Sequence, residues 1–544
     1  MRKFANRLYS FGENSIRYLF LVMIGMLAFF SLVFTESANN MLDQFMFLSV
    51  DRIYITVPVL LLIATVCVAA GVVAKRFGGK VITILTAVVC AWYFVCGVIL
   101  FYFVRSAPGA DAMTVYYMAD AVSRGDLSIV DPYNSYLSYY PQQIGLTSFL
   151  AILLKFLHIF RLPTEEFHFL KFFYMIMICV ATVAQNIIVK KLWKSDFANA
   201  VFLVLSAINL PYILYMTFIY SEVPSYCFFS VGACMLTILL SGDDEISDND
   251  NKEGSKKTDS KTVNKKGIKK LVLAIVSILM FALAVMIRKN VLVLIIAVAI
   301  TVFFRWLKTC KWEWLIYVLV CVVCCITILP VVLWGYEQAA GSTINSGVTA
   351  KSYFAMGMQE GYRGPGWYNG FNFDTFEASD KNPEVADVIS EAAISESIAY
   401  FKAHPDYAAR FYGRKISSQW LDGTYASLQA TYATGSERAQ FFWEVYDGKY
   451  TDNFIGFCNS LQSLVYIAVF LCMLRIVIKK ERNIFWKYLF AICVVGGFLF
   501  HIIWEANSRY IVTYSLLLIP YAAKGVENIY ETIRGRFRRT NTDS

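Results

Sequence analysis

The sequence predicts an all-α protein that crosses a membrane about twelve times. Hydrophobic residues make up 58% of the 544 residues, charged residues only 16%, and the mean hydropathy is +0.52. A soluble domain of this composition could not cover its surface with polar groups. Apolar runs of about 18 residues or more recur along the chain, each long enough to cross the hydrocarbon layer as a helix. Such runs exclude a membrane β-barrel, whose strands are short and alternate in polarity.

The apolar runs define the predicted spans in order. The first has a basic front and no small-x-small cleavage motif after it, so it is read as an uncleaved signal anchor. Each later span is an apolar run bounded by charged or turn-forming residues. The predicted spans are 17–35, 53–74, 81–104, 168–189, 198–216, 223–240, 271–288, 290–305, 314–334, 456–478, 485–503 and 509–526.

The distribution of lysine and arginine predicts the orientation. Basic residues concentrate at the N-terminus and in the short segments KRFGGK, KKLWK, RWLKTCK, KKER and RGRFRR, which all fall on one side of the predicted spans. The positive-inside rule therefore predicts a multi-pass cell-membrane protein with both termini in the cytoplasm. The net charge of +9 then reflects topology and attraction to anionic lipid, not nucleic-acid binding.

One apolar stretch is withheld from the spans. Residues 142–160 are of marginal length and contain Lys155 and His158. If they crossed the membrane, KKLWK would move outside and every later loop would invert. We therefore predict an amphipathic interfacial or re-entrant helix on the outer side.

Loops and spans divide the chain into eight segments. The segment 241–270 is polar and low in complexity, which predicts a disordered cytoplasmic linker. The segment 335–455 is too long for a connector, which predicts a structured extracytoplasmic loop. The predicted segments are 1–104 (N-terminal transmembrane helices), 105–167 (outer loop with interfacial helices), 168–240 (transmembrane), 241–270 (linker), 271–334 (transmembrane), 335–455 (extracytoplasmic loop), 456–526 (transmembrane) and 527–544 (basic cytoplasmic tail).

The first outer loop begins with RSAPGADAMTVYYMADAVSRGD. The Pro108-Gly109 break precedes a predicted helix with Asp111 at its entrance and Gly125 at its end. Asp111 could cap this helix or act as a base. Asp120 falls on the opposite helix face and is read as a solvated residue.

Several motifs, in this order, resemble the GT-C class of membrane glycosyltransferases. They are GADAMTVYYMADAVSRGD, YYPQQIGLTSFLAILLKFLH, KKLWK, IYSEVPS and HIIWEANSRYIVTYSLLLIPYAAKG, spread over roughly 100–525. The families concerned are the protein O-mannosyltransferases, the lipid A aminoarabinose transferases and the bacterial enzymes of the glycosyltransferase family 39-like group. The resemblance implies an enzyme that transfers a sugar from a polyprenyl-phosphate carrier to an envelope glycan, lipid or protein on the extracytoplasmic face, with inversion.

The resemblance and the residue chemistry together define a candidate site. Asp111 is the candidate base that accepts the proton of the attacking hydroxyl, and Glu222 is a candidate second acid. Arg288, Lys289 and Arg509 are candidates for binding the donor phosphate. Candidate substrate contacts are Tyr139, Tyr140, Arg363, Trp367, Tyr368, Glu505 and Tyr510.

Each assignment has a simpler alternative, and so does the function. Glu222 could be a solvent-facing loop acid, Arg288 and Lys289 could snorkel to lipid headgroups, and Glu505 with Arg509 could form a local i,i+4 pair. No cofactor is certain, and Mg²⁺ at Asp111 and Glu222 is left open. The alternative functions are a flippase or transporter of polyprenyl-linked glycan and a non-catalytic subunit of an envelope polysaccharide assembly complex.

Overall fold

The computed structural model describes residues 2–38, 45–105, 109–133, 135–160, 166–250, 260–432 and 437–540. It is 82% helical and has almost no sheet. These properties, with the candidate spans described below, confirm the prediction of an all-α polytopic membrane protein. The side of the membrane on which the termini lie stays a prediction.

The helices follow one another with short connections. The first half contains α1 (Arg2–Val33), α2 (Ile53–Phe77), α3 (Gly79–Phe103), α4 (Ala110–Ser123), α5 (Tyr136–Tyr139), α6 (Ile144–Ile159), α7 (Glu166–Trp193), α8 (Asp196–Ala207), α9 (Leu210–Leu214) and α10 (Glu222–Asp250). The second half contains α11 (Ser260–Ile287), α12 (Leu292–Thr309), α13 (Trp312–Ala340), α14 (Ala350–Gly357), α15 (Phe371–Ala378), α16 (Pro383–Ala403), α17 (Pro405–Trp420), α18 (Ser427–Thr431), α19 (Gln440–Asp447), α20 (Thr451–Ile478), α21 (Leu489–Ile503) and α22 (Val512–Thr540).

Within the described ranges, six short strands form three antiparallel pairs. The first pair is a hairpin that follows α1, and the second joins the end of α3 to the segment before α19. The third is a tight turn inside the 335–455 segment. The pairs are β1 (Phe34–Ala38) with β2 (Met46–Val50), β3 (Val104–Arg105) with β6 (Glu437–Arg438), and β4 (Glu360–Gly361) with β5 (Gly364–Pro365).

In the described residues, eleven helices are long and apolar enough to cross a membrane, or twelve if the bent pair α8–α9 is one span. Two details differ from the prediction. The stretch Pro141–Ile159, predicted not to cross, passes the same test of length and composition. The predicted last span, 509–526, lies mainly in α22, which does not pass because Lys524 and Glu527 interrupt its apolar part.

Helices α10 and α11 pack antiparallel, so the end of α11 lies beside the start of α10. Ser277 on α11 donates a hydrogen bond to the Gly232 carbonyl on α10 (2.8 Å), and Arg288 lies near Glu222. The short connections around α7–α13 and α20–α22 then place Glu222, Arg288 and Arg509 at one end, here called the site end. The terminus end holds the start of α1, where Glu13 accepts hydrogen bonds from the 483–484 backbone, and the end of α22.

Helix α6 contacts only the site end of its neighbours in the contacts described. Ser148 bonds to the Tyr336 hydroxyl (3.2 Å) near the end of α13. Phe149 packs on Phe228 and Phe156 on Phe173, both near the start of their helices. Helix α6 therefore lies along the site end of the bundle. A helix that spanned the bundle would contact its neighbours at both ends. This course agrees with an interfacial helix, although its depth in the membrane stays a prediction.

The segment 335–455 folds into α14–α19 and docks on the first outer loop. Tyr139 stacks on Phe373 of α15 (centroids 5.1 Å apart), and its hydroxyl donates to Glu377. The β1–β2 hairpin is held to α17 by buried Glu36, which accepts from Arg414 (2.8 Å). Burial raises the pKa of Glu36 to about 7. These contacts join the two large loops into one cap over the site end.

The predicted disordered linker is partly helical. Helix α10 continues to Asp250 and helix α11 begins at Ser260, so both flanks of the 241–270 segment extend the spans. A helix propagates from an existing turn at little cost, even through polar residues, and the disorder of the linker stays a prediction. Residues 251–259 lie outside the described residues.

Cysteines at the two ends of the bundle should differ in whether a membrane-impermeant maleimide reaches them in intact cells. Cys310 is exposed between α12 and α13 at the terminus end, whereas the other cysteines are buried or half-buried. We expect Asp111→Cys to react in intact cells and Cys310 to react only after permeabilisation. The matched control, Cys310→Ser, removes the second signal. Reaction of both positions in intact cells would contradict the arrangement.

Candidate functional site

Asp111 lies in the first turn of α4 with its side chain exposed at the site end. The N-cap position belongs to Gly109, so Asp111 is not the helix cap. Its negative charge near the N-terminus is favoured by the helix dipole. The local sequence therefore leaves this carboxylate available for other contacts.

Tyrosines surround Asp111. The Tyr136 hydroxyl lies within hydrogen-bonding reach of the Asp111 carboxylate. Burial, followed by the charges of Tyr220 and Asp111, raises the pKa of Tyr136. Burial likewise raises the pKa of Tyr140, with Tyr368 and Asp111 among the further causes. Both phenols are therefore neutral hydrogen-bond donors at physiological pH beside a carboxylate.

A buried carboxylate between two arginines forms the second part of the site. Glu222, the first residue of α10, has 3% of its side chain exposed. Its Oε1 lies 3.6 Å from Nη1 of Arg288, just after α11, and 3.5 Å from Nε of Arg509, just before α22. Three distant chain segments thus place one negative and two positive charges together. The cluster carries a net charge of +1.

The cluster has unfilled hydrogen-bonding capacity. Both carboxylate oxygens of Glu222 lack a hydrogen-bond partner, as do Nη1 of Arg288 and Nε of Arg509. Buried charges in proteins are ordinarily paired and hydrogen-bonded, because an unsatisfied charge costs free energy. A cationic pair with unfilled donors is the arrangement that an added oxyanion would complete.

Tyr510 connects this cluster to a second carboxyl group, Glu505. The Tyr510 hydroxyl donates to Oε2 of Glu505 (3.2 Å). The Tyr510 ring lies 5.6 Å from the guanidinium carbon of Arg288 and 5.7 Å from that of Arg509. Burial raises the pKa of Glu505 to about 7, and Asp111 adds to the rise against the opposing effect of Arg509. Asp111 and Arg509 therefore both lie close enough to Glu505 to change its pKa, in opposite directions.

The remaining candidate residues fall into two groups. Tyr140, Tyr368 and Arg363 lie near Asp111 or Glu505. Besides burial, the charges of Asp111 and Glu505 raise the pKa of Tyr140 and Tyr368, and Arg363 acts to lower the pKa of Glu505. Tyr139 lies between the two outer loops and contacts Glu377 and Phe373, as described above.

Two candidates lie apart from the cluster. Trp367 is 1% exposed, and its indole donates to Ser418 (2.9 Å). It anchors the turn that carries Glu505, since Ala506 donates to the Gly366 carbonyl (2.7 Å). Trp367 is thus packed inside the protein, where it supports the turn that carries Glu505. Its predicted contact with substrate stays a prediction. Lys289 is exposed, and the ion pairs of Glu222 involve Arg288 and Arg509 instead.

Sequence reasoning missed three polar residues of the site. Tyr136 lies beside Asp111. Tyr220 lies under Arg509 (5.5 Å) and accepts a hydrogen bond from Gln143. Tyr136 and Tyr220 occur in the aromatic stretch YNSYLSYYP and in IYSEVPS, so proximity to a candidate motif was an available signal. Gln143 lies in the quoted motif YYPQQIGLTSFLAILLKFLH, so the same signal was available for it.

No metal centre emerges from the described residues. No group of three or more His, Cys, Asp and Glu side chains in those ranges is arranged to hold a metal ion. Asp111 and Glu222 therefore find no third protein ligand of these types there. The Mg²⁺ alternative has no support from the side-chain arrangement.

Comparison with known proteins leaves the family open. No protein-family model matches the chain, and no curated protein is similar enough to be a relative. The resemblance to GT-C glycosyltransferases therefore rests on the motifs quoted above and stays a prediction.

The buried triad predicts a specific response to neutralisation. We expect Glu222→Gln to lower the free energy of unfolding by about 3 kcal/mol, because it leaves two arginines without a counter-ion. Phosphate should then raise the melting temperature of the variant, measured in detergent, more than that of the wild type.

The matched control is Asp406→Asn, which removes an exposed i,i+4 partner of Arg410. Little change is expected there, because exposed pairs contribute little. An equally small effect of Glu222→Gln would contradict the role of Glu222 as the counter-ion.

Proposed function

We propose that the protein is a membrane glycosyltransferase that moves a sugar from a polyprenyl-phosphate carrier to a cell-envelope acceptor. The observation that carries this proposal is the convergence at one end of the bundle of Asp111 with a pair of arginines whose hydrogen-bonding capacity is unfilled. The carboxylate suits the acceptor hydroxyl, and the arginines suit the phosphate of the donor.

The arginine cluster supports the donor assignment. A phosphodiester carries one negative charge, which matches the net +1 of Arg288, Arg509 and Glu222. Guanidinium groups also present planar sets of donors that suit phosphate oxygens. As the bond between sugar and phosphate breaks, negative charge grows on the phosphate, and fixed cations stabilise that change.

Asp111 supports the acceptor assignment. In a direct displacement, the acceptor oxygen forms a bond to the anomeric carbon while the phosphate oxygen leaves, which inverts the configuration. The proton of the acceptor hydroxyl passes to the Asp111 carboxylate. Asp111 is exposed at the site end, so an acceptor can reach it, and the Tyr136 hydroxyl holds it in place.

We place the site end on the extracytoplasmic face. The terminus end carries the basic segments such as KRFGGK, KKLWK and KKER, and the positive-inside rule assigns that end to the cytoplasm. The cap and the site then face the outer surface, and a polyprenyl donor would approach from the outer leaflet of the cell membrane.

The base assignment is tested by Asp111→Asn. We expect transfer of radiolabelled sugar from a polyprenyl-phosphate donor to envelope acceptors to fall by about 100-fold or more, because the amide accepts no proton. Asp120→Asn is the matched control on the same helix, since Asp120 pairs with Arg124 (3.0 Å). Equal transfer by wild type and Asp111→Asn would remove Asp111 from the mechanism. Movement of labelled carrier between leaflets without transfer, in the wild type, would favour a flippase.

The donor assignment is tested by Arg509→Gln. We expect the dissociation constant for the polyprenyl-phosphate donor to rise by about 10-fold to 100-fold, because a charge-assisted hydrogen bond is lost. Lys289→Gln should change donor binding far less, since Lys289 is exposed outside the Glu222 triad. Equal losses in both variants would point to general electrostatic attraction instead of a defined phosphate site.

A further inference from the structure

We propose that Glu505 is the proton donor to the departing phosphate, so that the site works with two carboxyl groups in different protonation states. This inference rests on the proposed transferase function. It goes beyond the simpler expectation that one carboxylate is enough and that Glu505 only contacts substrate.

The position of Glu505 places it on the phosphate side of the site. Its carboxyl oxygen accepts from Tyr510, whose ring lies against both Arg288 and Arg509. Asp111, by contrast, lies on α4 beside Tyr136. Glu505 is therefore linked through Tyr510 to the two arginines, whereas Asp111 lies on the α4 side of the site.

The backbone around Glu505 holds it firmly. The next residue, Ala506, donates to the Gly366 carbonyl (2.7 Å) and forms a bridge with Trp367. The preceding residue, Trp504, stacks on Tyr353 at 5.0 Å. A group that transfers a proton needs such a defined position, because transfer requires hydrogen-bonding distance to the receiving oxygen.

The surroundings of Glu505 favour its protonated form. Glu505 is 7% exposed, and burial is the largest cause of its pKa of about 7. Asp111 faces it and raises the pKa further, whereas Arg509 and Arg363 oppose the rise. Lys415 on α17 also faces Glu505, and burial lowers the pKa of that lysine to about 7, so its opposing charge is reduced. The neighbouring phenols that also face the carboxyl group are Tyr140, Tyr353, Tyr368 and Tyr510.

Donor binding would strengthen this preference. A phosphate on Arg288 and Arg509 adds a negative charge near Glu505 and engages one of the cations that opposed its protonation. Both effects raise the pKa of a neighbouring carboxyl group. Pairs of carboxyl groups whose environments separate their pKa values commonly divide into an acid and a base.

The resulting step balances. The acceptor oxygen bonds to the anomeric carbon, and its proton goes to Asp111. The bond between that carbon and the phosphate oxygen breaks, and the oxygen takes the proton of Glu505 with its electron pair. The products are the glycoside and polyprenyl phosphate, with Asp111 protonated and Glu505 ionised. Exchange with water at the exposed Asp111 and at the opened site restores both groups.

The pH dependence of transfer by full-length protein in membranes tests the role. An acid must be protonated, so wild-type turnover should fall as pH rises through the pKa of Glu505 in the donor complex, at or above about 7. Glu505→Gln should lower kcat by about 100-fold and lose this basic limb, with a nearly unchanged donor KM. Tyr510→Phe removes a hydrogen bond to the carboxylate, so it should shift the limb to higher pH.

Each outcome separates the two proposals. A basic limb that stays in Glu505→Gln, or a loss confined to KM, would overturn the role of Glu505 while leaving the transferase intact. Absence of transfer by the wild type with every envelope acceptor would overturn the proposed function, and this inference with it. If Glu505→Gln is unfolded by its melting curve, the shift of the limb in Tyr510→Phe decides, and an unshifted limb there counts against the proposal.

Discussion

The placement of Glu222 between Arg288 and Arg509 is the interaction on which the arrangement of the site end depends. Its three members come from the ends of three different helices, so the pairing holds α10, α11 and α22 together at that end. Two arginines that close together would repel one another without the carboxylate. Nη1 of Arg288 and Nε of Arg509 have no hydrogen-bond partner, so these donors are open to an additional oxyanion.

The cap shows why the site needs the two outer loops together. Asp111 and Tyr140 come from the first loop, whereas Tyr368 and the anchor of Glu505 come from the second. Their junction, with Tyr139 on Phe373, is made of aromatic contact and hydrogen bonds that neither loop could form alone. Burial beneath this cap is also the main cause of the raised pKa of Glu505. The packing of the cap therefore excludes water from Glu505 and thereby raises the pKa of its carboxyl group.

Local sequence was a good guide to some features and a poor guide to others. The apolar runs, the helix that begins near Asp111 and the turn into the last helix followed from length, polarity and capping residues, which act over a few residues. The segment 241–270 stays a predicted linker, and α10 and α11 extend into its flanks. Trp367 was predicted to contact substrate, and in the structure it is buried with its indole donating to the Ser418 hydroxyl. Composition counts side chains but does not say which of them face inward.

The sequence by itself determined that the protein is an all-α membrane protein, its approximate spans and a short set of candidate polar residues near the ends of those spans. Each of these depends on hydrophobic burial in lipid or on helix termini, and both are readable from neighbouring residues. Only the tertiary structure decided that Glu222, Arg288, Arg509 and Glu505 meet and that Lys289 stands apart. These outcomes depend on which helices pack side by side over hundreds of residues of separation, and no local pattern encodes that choice.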